Sequence, residues 1–266
     1  MLPLILLIGA AAFEWLRPTV MLLLLVGLLA YALAARRTHA DSVGRELLVY
    51  AGCFAVALNL AWGGVALDAL AGGAAQCADR LAPFALLRVG GAALVLTGVW
   101  LVVRLVHSAP NDIGVRWPSR PIIVISLLVV PVIGAAAVLI GPVLAEPFFG
   151  PIALPTADLS SLIPALLFAG ANATMEEVVY RGALLRWLTP VTGVASALAL
   201  QAFVFGLAHG VGTDFIGSPL PVMAATAAAG LAFGALALRT RSLLLPIAIH
   251  VALDVPVFYG KVCLGA

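Results

Sequence analysis

Long apolar runs follow one another along the whole chain and leave room for one class of fold. Short segments that hold most of the charged residues separate them. Over 266 residues, hydrophobic side chains make up 64% and charged ones 10%, and the mean hydropathy is +1.17. A water-soluble domain of this length needs far less apolar side chain, so the sequence predicts an all-α polytopic transmembrane helix bundle. The runs are continuous rather than alternating, which excludes a transmembrane β-barrel.

The runs predict a multi-pass protein of the cell membrane with about eight spans around a polar intramembrane cavity. The first run, Leu2–Phe13, is short, so it either crosses marginally or lies in the interface. The other predicted spans are Thr19–Ala35, Leu47–Leu67, Pro83–Val106, Ile122–Leu144, Leu159–Leu188, Val191–Val211, Pro219–Leu238 and Leu243–Tyr259.

The polar segment Ser108–Pro121 divides the chain into N-terminal transmembrane helices, 1–120, and a C-terminal helix bundle, 121–266, within one membrane domain. If the spans alternate, the more basic loops fall on one side of the membrane and the less basic ones on the other. The positive-inside rule then makes the basic set cytoplasmic. The basic set is 36–46, 104–120, 186 and 239–241, and the other set is 68–80, 146–158 and 212–218.

One charged stretch, Met175–Gly182, interrupts the apolar sequence and demands an explanation. An ionised carboxylate at bilayer depth costs about 2.5–3.5 kcal/mol even on a lenient insertion scale, and this stretch holds two. Glu177 and Arg181 are four residues apart, so on a helix they face each other and can form an ion pair. Glu176 is rotated by about 100° from Glu177 and shares that arginine less easily. Glu176 is therefore the candidate for chemistry.

Two further polar pairs follow on later helices. Phe205 and His209, and then His250 and Asp254, are each spaced i, i+4, so the members of a pair share one helix face. Nearby glycines allow the helices to approach closely. The simplest packing brings these faces and Met175–Gly182 to one polar cavity. Such a group suits hydrolysis, because a carboxylate or imidazole must take a proton from water and donors must meet the oxyanion.

The motifs E-E-x-x-x-R, F-x-x-x-H and H-x-x-x-D, in this order on successive helices, resemble a known family. It is the CPBP family of CAAX protease and bacteriocin-processing intramembrane endopeptidases, also called the Abi family. The resemblance covers about Leu159 to Tyr259, and it implies an intramembrane protease of the CAAX prenyl protease type. The N-terminal half matches only as generic membrane helices.

The resemblance also implies roles for the motif residues. Glu176 and His209 would activate the attacking water, and His250 and Asp254 would stabilise the oxyanion. Position 254 carries Asp rather than Asn, and a charged Asp would repel an oxyanion. We therefore expect Asp254 either to be protonated or, as we favour, to orient His250 through a hydrogen bond. The expected supporting residues are Glu177, Arg181 and Phe205, the last by packing in the cavity wall.

No cofactor is favoured, and zinc is the alternative. Zinc would take Glu176, His209 and His250 as ligands and keep a water in the fourth position. The H-E-x-x-H pattern is absent and the ligand spacing matches no standard zinc motif, so water activation by a glutamate is favoured. The three cysteines are widely spaced, form no C-x-x-C pair, and are expected to fill apolar space: Cys53, Cys77 and Cys263.

The expected partners are membrane lipid and a protein or peptide substrate, and the scattered basic residues give no nucleic-acid site. Two other functions stay open at this point. One is a CPBP-like scaffold or immunity protein without proteolytic activity. The other is a proton-coupled transporter, because buried Glu and His chains also relay protons.

Polar residues elsewhere are given structural roles. Arg88 and Arg104 are expected to extend their side chains to the headgroups. The residues expected to hydrogen-bond between helices are Asn59, Asn172 and Gln201.

The predicted depths of Glu176, His209 and His250 in the membrane differ, which argues against a shared cavity. Counted along straight helices from the basic turns, His250 lies about 12–14 Å deep, Glu176 about 20 Å and His209 about 27 Å. A tilt, or a break near Gly182 that lays 183–190 along the interface, would be needed to bring the three level.

Overall fold

The computed structural model describes residues 1–38, 40–62, 77–149, 159–211 and 218–263. Every regular element in these ranges is helical, which confirms the all-α fold class. The elements in chain order are α1 (Leu2–Ala12), a 3₁₀ turn (Glu14–Leu16), α2 (Arg17–Arg37), α3 (Asp41–Trp62), α4 (Cys77–Leu105), α5 (Arg120–Phe149), α6 (Leu159–Glu176), a π-helix (Glu177–Leu184), α7 (Leu185–Thr192), α8 (Val194–His209), α9 (Leu220–Thr240) and α10 (Leu244–Cys263).

Among the described residues, six helices are long and apolar enough to cross a membrane by length and composition. They are Glu14–Arg37, Asp41–Trp62, Arg80–Leu105, Arg120–Val143, Ser161–Thr192 and Leu220–Thr240. Val194–His209 and Leu244–Tyr259, which were predicted as spans, are shorter apolar helices. Leu2–Ala12 has 11 residues, about 16 Å of helix, and cannot cross a hydrocarbon layer of about 30 Å alone. Its buried face packs against α3 and α8.

Hydropathy located the helices but not their ends. We predicted a span from Leu47, yet α3 begins at Asp41, and α5 continues to Phe149 beyond the predicted end at Leu144. The reason is that apolar content marks the part of a helix in the membrane, whereas helical backbone continues into the polar flanks. Asp41 in the first turn of α3 also suits the positive end of the helix dipole.

The loops predicted at 68–80, 146–158 and 212–218 lie wholly or mainly outside the described residues. The predictions for Cys77 and Cys263 likewise fall outside the described side chains. Cys53 is a free cysteine and is fully buried, as expected of an apolar filler.

Small residues bring α8 and α9 close together. A Cβ atom on Gly206 would come within 2.6 Å of the carbonyl oxygen of Met223, and one on Gly230 within 3.0 Å of the Cα of Ala202. Across the same interface, the side-chain amide of Gln201 donates a hydrogen bond of 2.7 Å to the carbonyl of Gly230. This confirms the predicted interhelical role of Gln201.

The basic loops meet at one end of the bundle. The Arg116 side chain donates to the carbonyl of Arg241 at 2.6 Å, and the hydroxyl of Ser242 donates to the carbonyl of Arg116 at 2.8 Å. Arg186 donates to the carbonyl of Ala237 at 3.1 Å. Loops 104–120 and 239–241 and residue 186 therefore share an end, as the alternation of spans predicted. That this end is cytoplasmic stays a prediction.

Of the two arrangements considered, a tilt or a break near Gly182, the break does not occur. The chain runs without interruption from α6 through an eight-residue π-helix into α7. A π-helix keeps the backbone hydrogen-bonded, which a break at membrane depth would not. Gly182 has a different role, because a Cβ atom there would lie 3.0 Å from the carbonyl oxygen of Ile113. The glycine lets the 108–116 segment lie against the π-helix.

Candidate active site

The three motifs meet at the junction of α6 and the π-helix. Glu176 ends α6, His209 ends α8, and His250 lies within α10. Oε2 of Glu176 is 3.7 Å from Nε2 of His250 and 4.0 Å from Nε2 of His209. The predicted convergence of these three side chains is therefore confirmed, and counting depth along straight helices misplaced them. One reason is the π-helix, which has more residues per turn and so advances less per residue than an α-helix.

Burial is graded across the site. Glu177 and Arg181 have no exposed side-chain surface, whereas Glu176 and His250 are each under 10% exposed as residues. The His209 side chain is 34% exposed. The polar group therefore reaches the molecular surface on the His209 side.

Glu177 holds both His250 and Arg181. Its Oε1 accepts a hydrogen bond from Nδ1 of His250 at 2.8 Å and lies 3.0 Å from Nη1 of Arg181. The predicted Glu177–Arg181 pair is thus confirmed. In this contact Nδ1 of His250 carries the donated proton. The other ring nitrogen, Nε2, faces Glu176.

Aromatic rings surround the Arg181 guanidinium. Its central carbon lies 4.1 Å from the ring centre of Phe205 and 5.6 Å from that of Phe233. A buried guanidinium over an aromatic face gains electrostatic stabilisation from the ring. Phe205 also contacts the His209 ring, with centroids 4.4 Å apart. Phe205 therefore packs in the wall of the site, as expected.

The backbone fixes the tautomer of His209. Its Nδ1 is 2.8 Å from the carbonyl oxygen of Phe205, one helical turn earlier. A carbonyl only accepts, so Nδ1 carries the proton in this contact and the neutral ring has its lone pair on Nε2. That lone pair faces Glu176.

Asp254 makes contacts different from those expected. Its Oδ2 accepts a hydrogen bond of 2.8 Å from the side-chain amide of Asn172, and its Oδ1 lies 3.5 Å from Nε2 of His250. The hydrogen bond that orients His250 comes from Glu177 instead. The predicted interhelical hydrogen bond of Asn172 is confirmed. Asn59 on α3 is also buried.

Sequence reasoning missed Arg88. We expected its side chain to extend to the headgroups, but Arg88 is buried, with its guanidinium 5.2 Å from the ring centre of Phe168. Phe168 lies one helical turn before Asn172, whose side chain bonds to Asp254, so Arg88 lies beside the site. The sequence signal was a spacing of four between Phe84 and Arg88, which puts both on one helix face.

In the zinc alternative, Oε2 of Glu176 would share the metal with Nε2 of His250, 3.7 Å away, and Nε2 of His209, 4.0 Å away. In the described ranges, no group of three or more His, Cys, Asp or Glu side chains is arranged to hold a metal ion. Zinc requires its ligand atoms at about 2.0–2.2 Å. A cavity of about 600 Å³ between α2, α3 and α4 is also unsuited to the chemistry, because apolar side chains line almost all of it.

Fold and site together define a polytopic helical membrane protein with a buried centre of carboxylates and imidazoles. Residues 158–256 match the family model described as Type II CAAX prenyl endopeptidase Rce1-like, which agrees with the resemblance to the CPBP family over the helices that carry the three motifs. The match does not extend to the N-terminal half. No significant match is found among curated proteins or among solved structures.

Proposed function

We propose that this protein is an intramembrane endopeptidase that cuts a membrane-associated protein or one with a leader or tail segment. The family match supports a CAAX-type intramembrane endopeptidase in general. The observation that carries the proposal is the approach of both imidazoles to Oε2 of Glu176, within 4.0 Å, at a buried position. A carboxylate between two imidazoles can take a proton from water and return it, as peptide hydrolysis requires.

Water activation is assigned to Glu176 and His209. A water molecule between Oε2 of Glu176 and Nε2 of His209 would hydrogen-bond to both, because a gap of 4.0 Å suits a bridging water. As the water oxygen bonds to the scissile carbonyl carbon, its proton passes to Glu176. When the carbon–nitrogen bond breaks, Glu176 returns that proton to the leaving amine.

Oxyanion stabilisation is assigned to His250, oriented by its neighbours. The carboxylate of Glu177 accepts from Nδ1 and so favours the imidazolium form, in which Nε2 is also a donor. A fixed charged donor aimed at the developing oxyanion lowers the barrier without reorganisation. Asp254, 3.5 Å from Nε2, adds to the stabilisation of the imidazolium.

The proposed enzyme needs no metal and acts in the cell membrane as a multi-pass protein. Its partners are membrane lipid and a protein or peptide substrate. The chemistry favours a substrate whose scissile bond lies close to the lipid surface, because the site is buried among helices apolar enough to cross a membrane. A prenylated C-terminal CAAX segment meets that requirement, since its lipid keeps the peptide at the membrane.

The test uses the full chain in proteoliposomes and a fluorescence-quenched peptide ending in a farnesylated CAAX sequence, with an unprenylated copy beside it. We expect cleavage of the farnesylated peptide, and a fall in kcat of about 10²–10⁴-fold for Glu176→Gln, which removes the base but keeps the shape. Glu46→Gln on α3 is the matched control and should cleave normally. Unchanged cleavage by Glu176→Gln would overturn the mechanism. A folded wild type that cuts neither peptide would favour a non-proteolytic role.

A further inference from the structure

Three phenylalanines join α4, α6 and α10 beside the site. The rings of Phe84 and Phe168 have centroids 5.5 Å apart, those of Phe168 and Phe258 5.1 Å, and those of Phe84 and Phe258 6.0 Å. All three side chains are buried. This aromatic layer fixes how the three helices face one another at this level, because aromatic pairs in this range prefer defined geometries.

One helical turn from each phenylalanine lies a buried polar side chain. Arg88 follows Phe84 by four residues on α4, and Asn172 and Asp254 have the same spacing from their phenylalanines on α6 and α10. The order is reversed on α10, as expected for a helix that runs against the other two. The amide of Asn172 donates to Asp254, and the Arg88 guanidinium lies over the Phe168 ring. The polar layer of Arg88, Asn172 and Asp254 therefore rests on the aromatic layer.

The polar layer contributes a positive charge next to the buried carboxylates of the site. The site holds three carboxylates, and Glu177 is already paired with Arg181 at 3.0 Å. Glu176 and Asp254 also face His250, which can offset one negative charge. A second buried carboxylate without compensation would be strongly destabilised in its ionised form. Arg88 lies at the level of Asn172 and Asp254, one helical turn from the same aromatic layer, and its buried guanidinium can supply that compensation.

We propose that Arg88 is a positioning residue that balances the negative charge of Asp254 beside His250. The role rests on the proposed function. Arg88 lies in the N-terminal half of the chain, outside the matched residues 158–256. This role of Arg88 depends on the acid at position 254, because an uncharged Asn there would need no compensating positive charge. The N-terminal helices then contribute to the site itself and are more than a membrane anchor.

The test is a double-mutant cycle of Arg88→Met and Asp254→Asn in the full chain. Cleavage of the farnesylated peptide and the midpoint of thermal unfolding are measured for all four proteins. We expect Arg88→Met to lower kcat at least about tenfold with little change in KM, and to matter far less once Asp254 is replaced. Arg88→Lys keeps the charge and should retain most of the rate. Arg104→Met is the matched control, because Arg104 also lies on α4 over a ring, that of Trp100, but is exposed.

The outcomes separate the inference from the proposed function. If Arg88→Met cleaves as fast as Arg104→Met while Glu176→Gln is inactive, the inference is overturned and the proposed function stands. An equal loss from Arg88→Met in both backgrounds also overturns it, because the effect would then not pass through Asp254. If the wild type does not cleave, the proposed function fails and the unfolding midpoints decide. Additive midpoint shifts then refute the charge balance, and non-additive shifts support it.

Discussion

Replacing Glu177 by glutamine is expected to remove much of the stability of the fold. Glu177 is fully buried and pairs with an equally buried Arg181 at 3.0 Å. Glutamine has nearly the same shape and can still accept from Nδ1 of His250, so little cavity energy is lost. The Arg181 charge then loses its paired carboxylate in a low-dielectric interior and keeps the aromatic rings beside it.

The magnitude follows from burial. Removing one partner of a buried ion pair costs about 3–5 kcal/mol, whereas an exposed pair contributes about 0–1 kcal/mol. The chain supplies the exposed comparison, because Glu14 and Arg17 are also 3.0 Å apart with side chains 57% and 15% exposed. At about 2–4 °C per kcal/mol for a chain of this size, Glu177→Gln should lower the midpoint of unfolding by about 6–20 °C. Glu14→Gln should lower it by about 0–4 °C.

The assay is thermal unfolding of the purified protein in detergent, followed by far-ultraviolet circular dichroism. A second substitution sharpens it, because Arg181→Met in the Glu177→Gln background removes the unpaired charge and should recover part of the loss. If Glu177→Gln and Glu14→Gln shift the midpoint equally, burial does not set the strength of the pair and the reasoning fails. The reasoning also fails if Arg181→Met in the Glu177→Gln background lowers the unfolding midpoint further.

The remaining predictions concern metal, helix contact and the aromatic wall. Exhaustive chelation should leave cleavage of the farnesylated peptide unchanged, and loss of activity that zinc restores would reverse this view. Gly206→Ala should lower the unfolding midpoint by several degrees, because its Cβ would meet the backbone of α9 at 2.6 Å. Gly170→Ala, with nothing within 4 Å, should be neutral or slightly stabilising in the same measurement. Phe205→Leu removes the ring below the buried Arg181 and should cost about 2 kcal/mol by denaturant unfolding, against at most about 1 kcal/mol for Trp100→Leu at its exposed arginine.

The fold class was predictable because each spanning helix is indicated by its own apolar run. A run of about 20 apolar residues predicts a spanning helix without knowledge of its neighbours. Neither the π-helix at Glu177–Leu184 nor the close approach of a carbonyl from the distant 108–116 segment to Gly182 was predictable. No local pattern in the sequence records that contact.

The site was predictable where two residues share a helix and a motif. Glu176, His209 and His250 were identified from spacing, and the structure brings them together. Arg88 was misjudged because it lies near one end of the predicted span Pro83–Val106, where an arginine suits both a headgroup contact and a buried site. The choice depends on which face α4 turns toward α6 and α10. The packing of the three phenylalanines contributes to that arrangement, and no local pattern records it.

The graded burial of the site has a consequence for the permeability of the membrane. The acids and imidazoles approach the surface at His209, whereas the opposite directions end at buried phenylalanines and at the fully enclosed Arg181. Under the proposed function, water and protons would enter and leave the site from the His209 side, so hydrolysis there would not need a water path across the whole membrane.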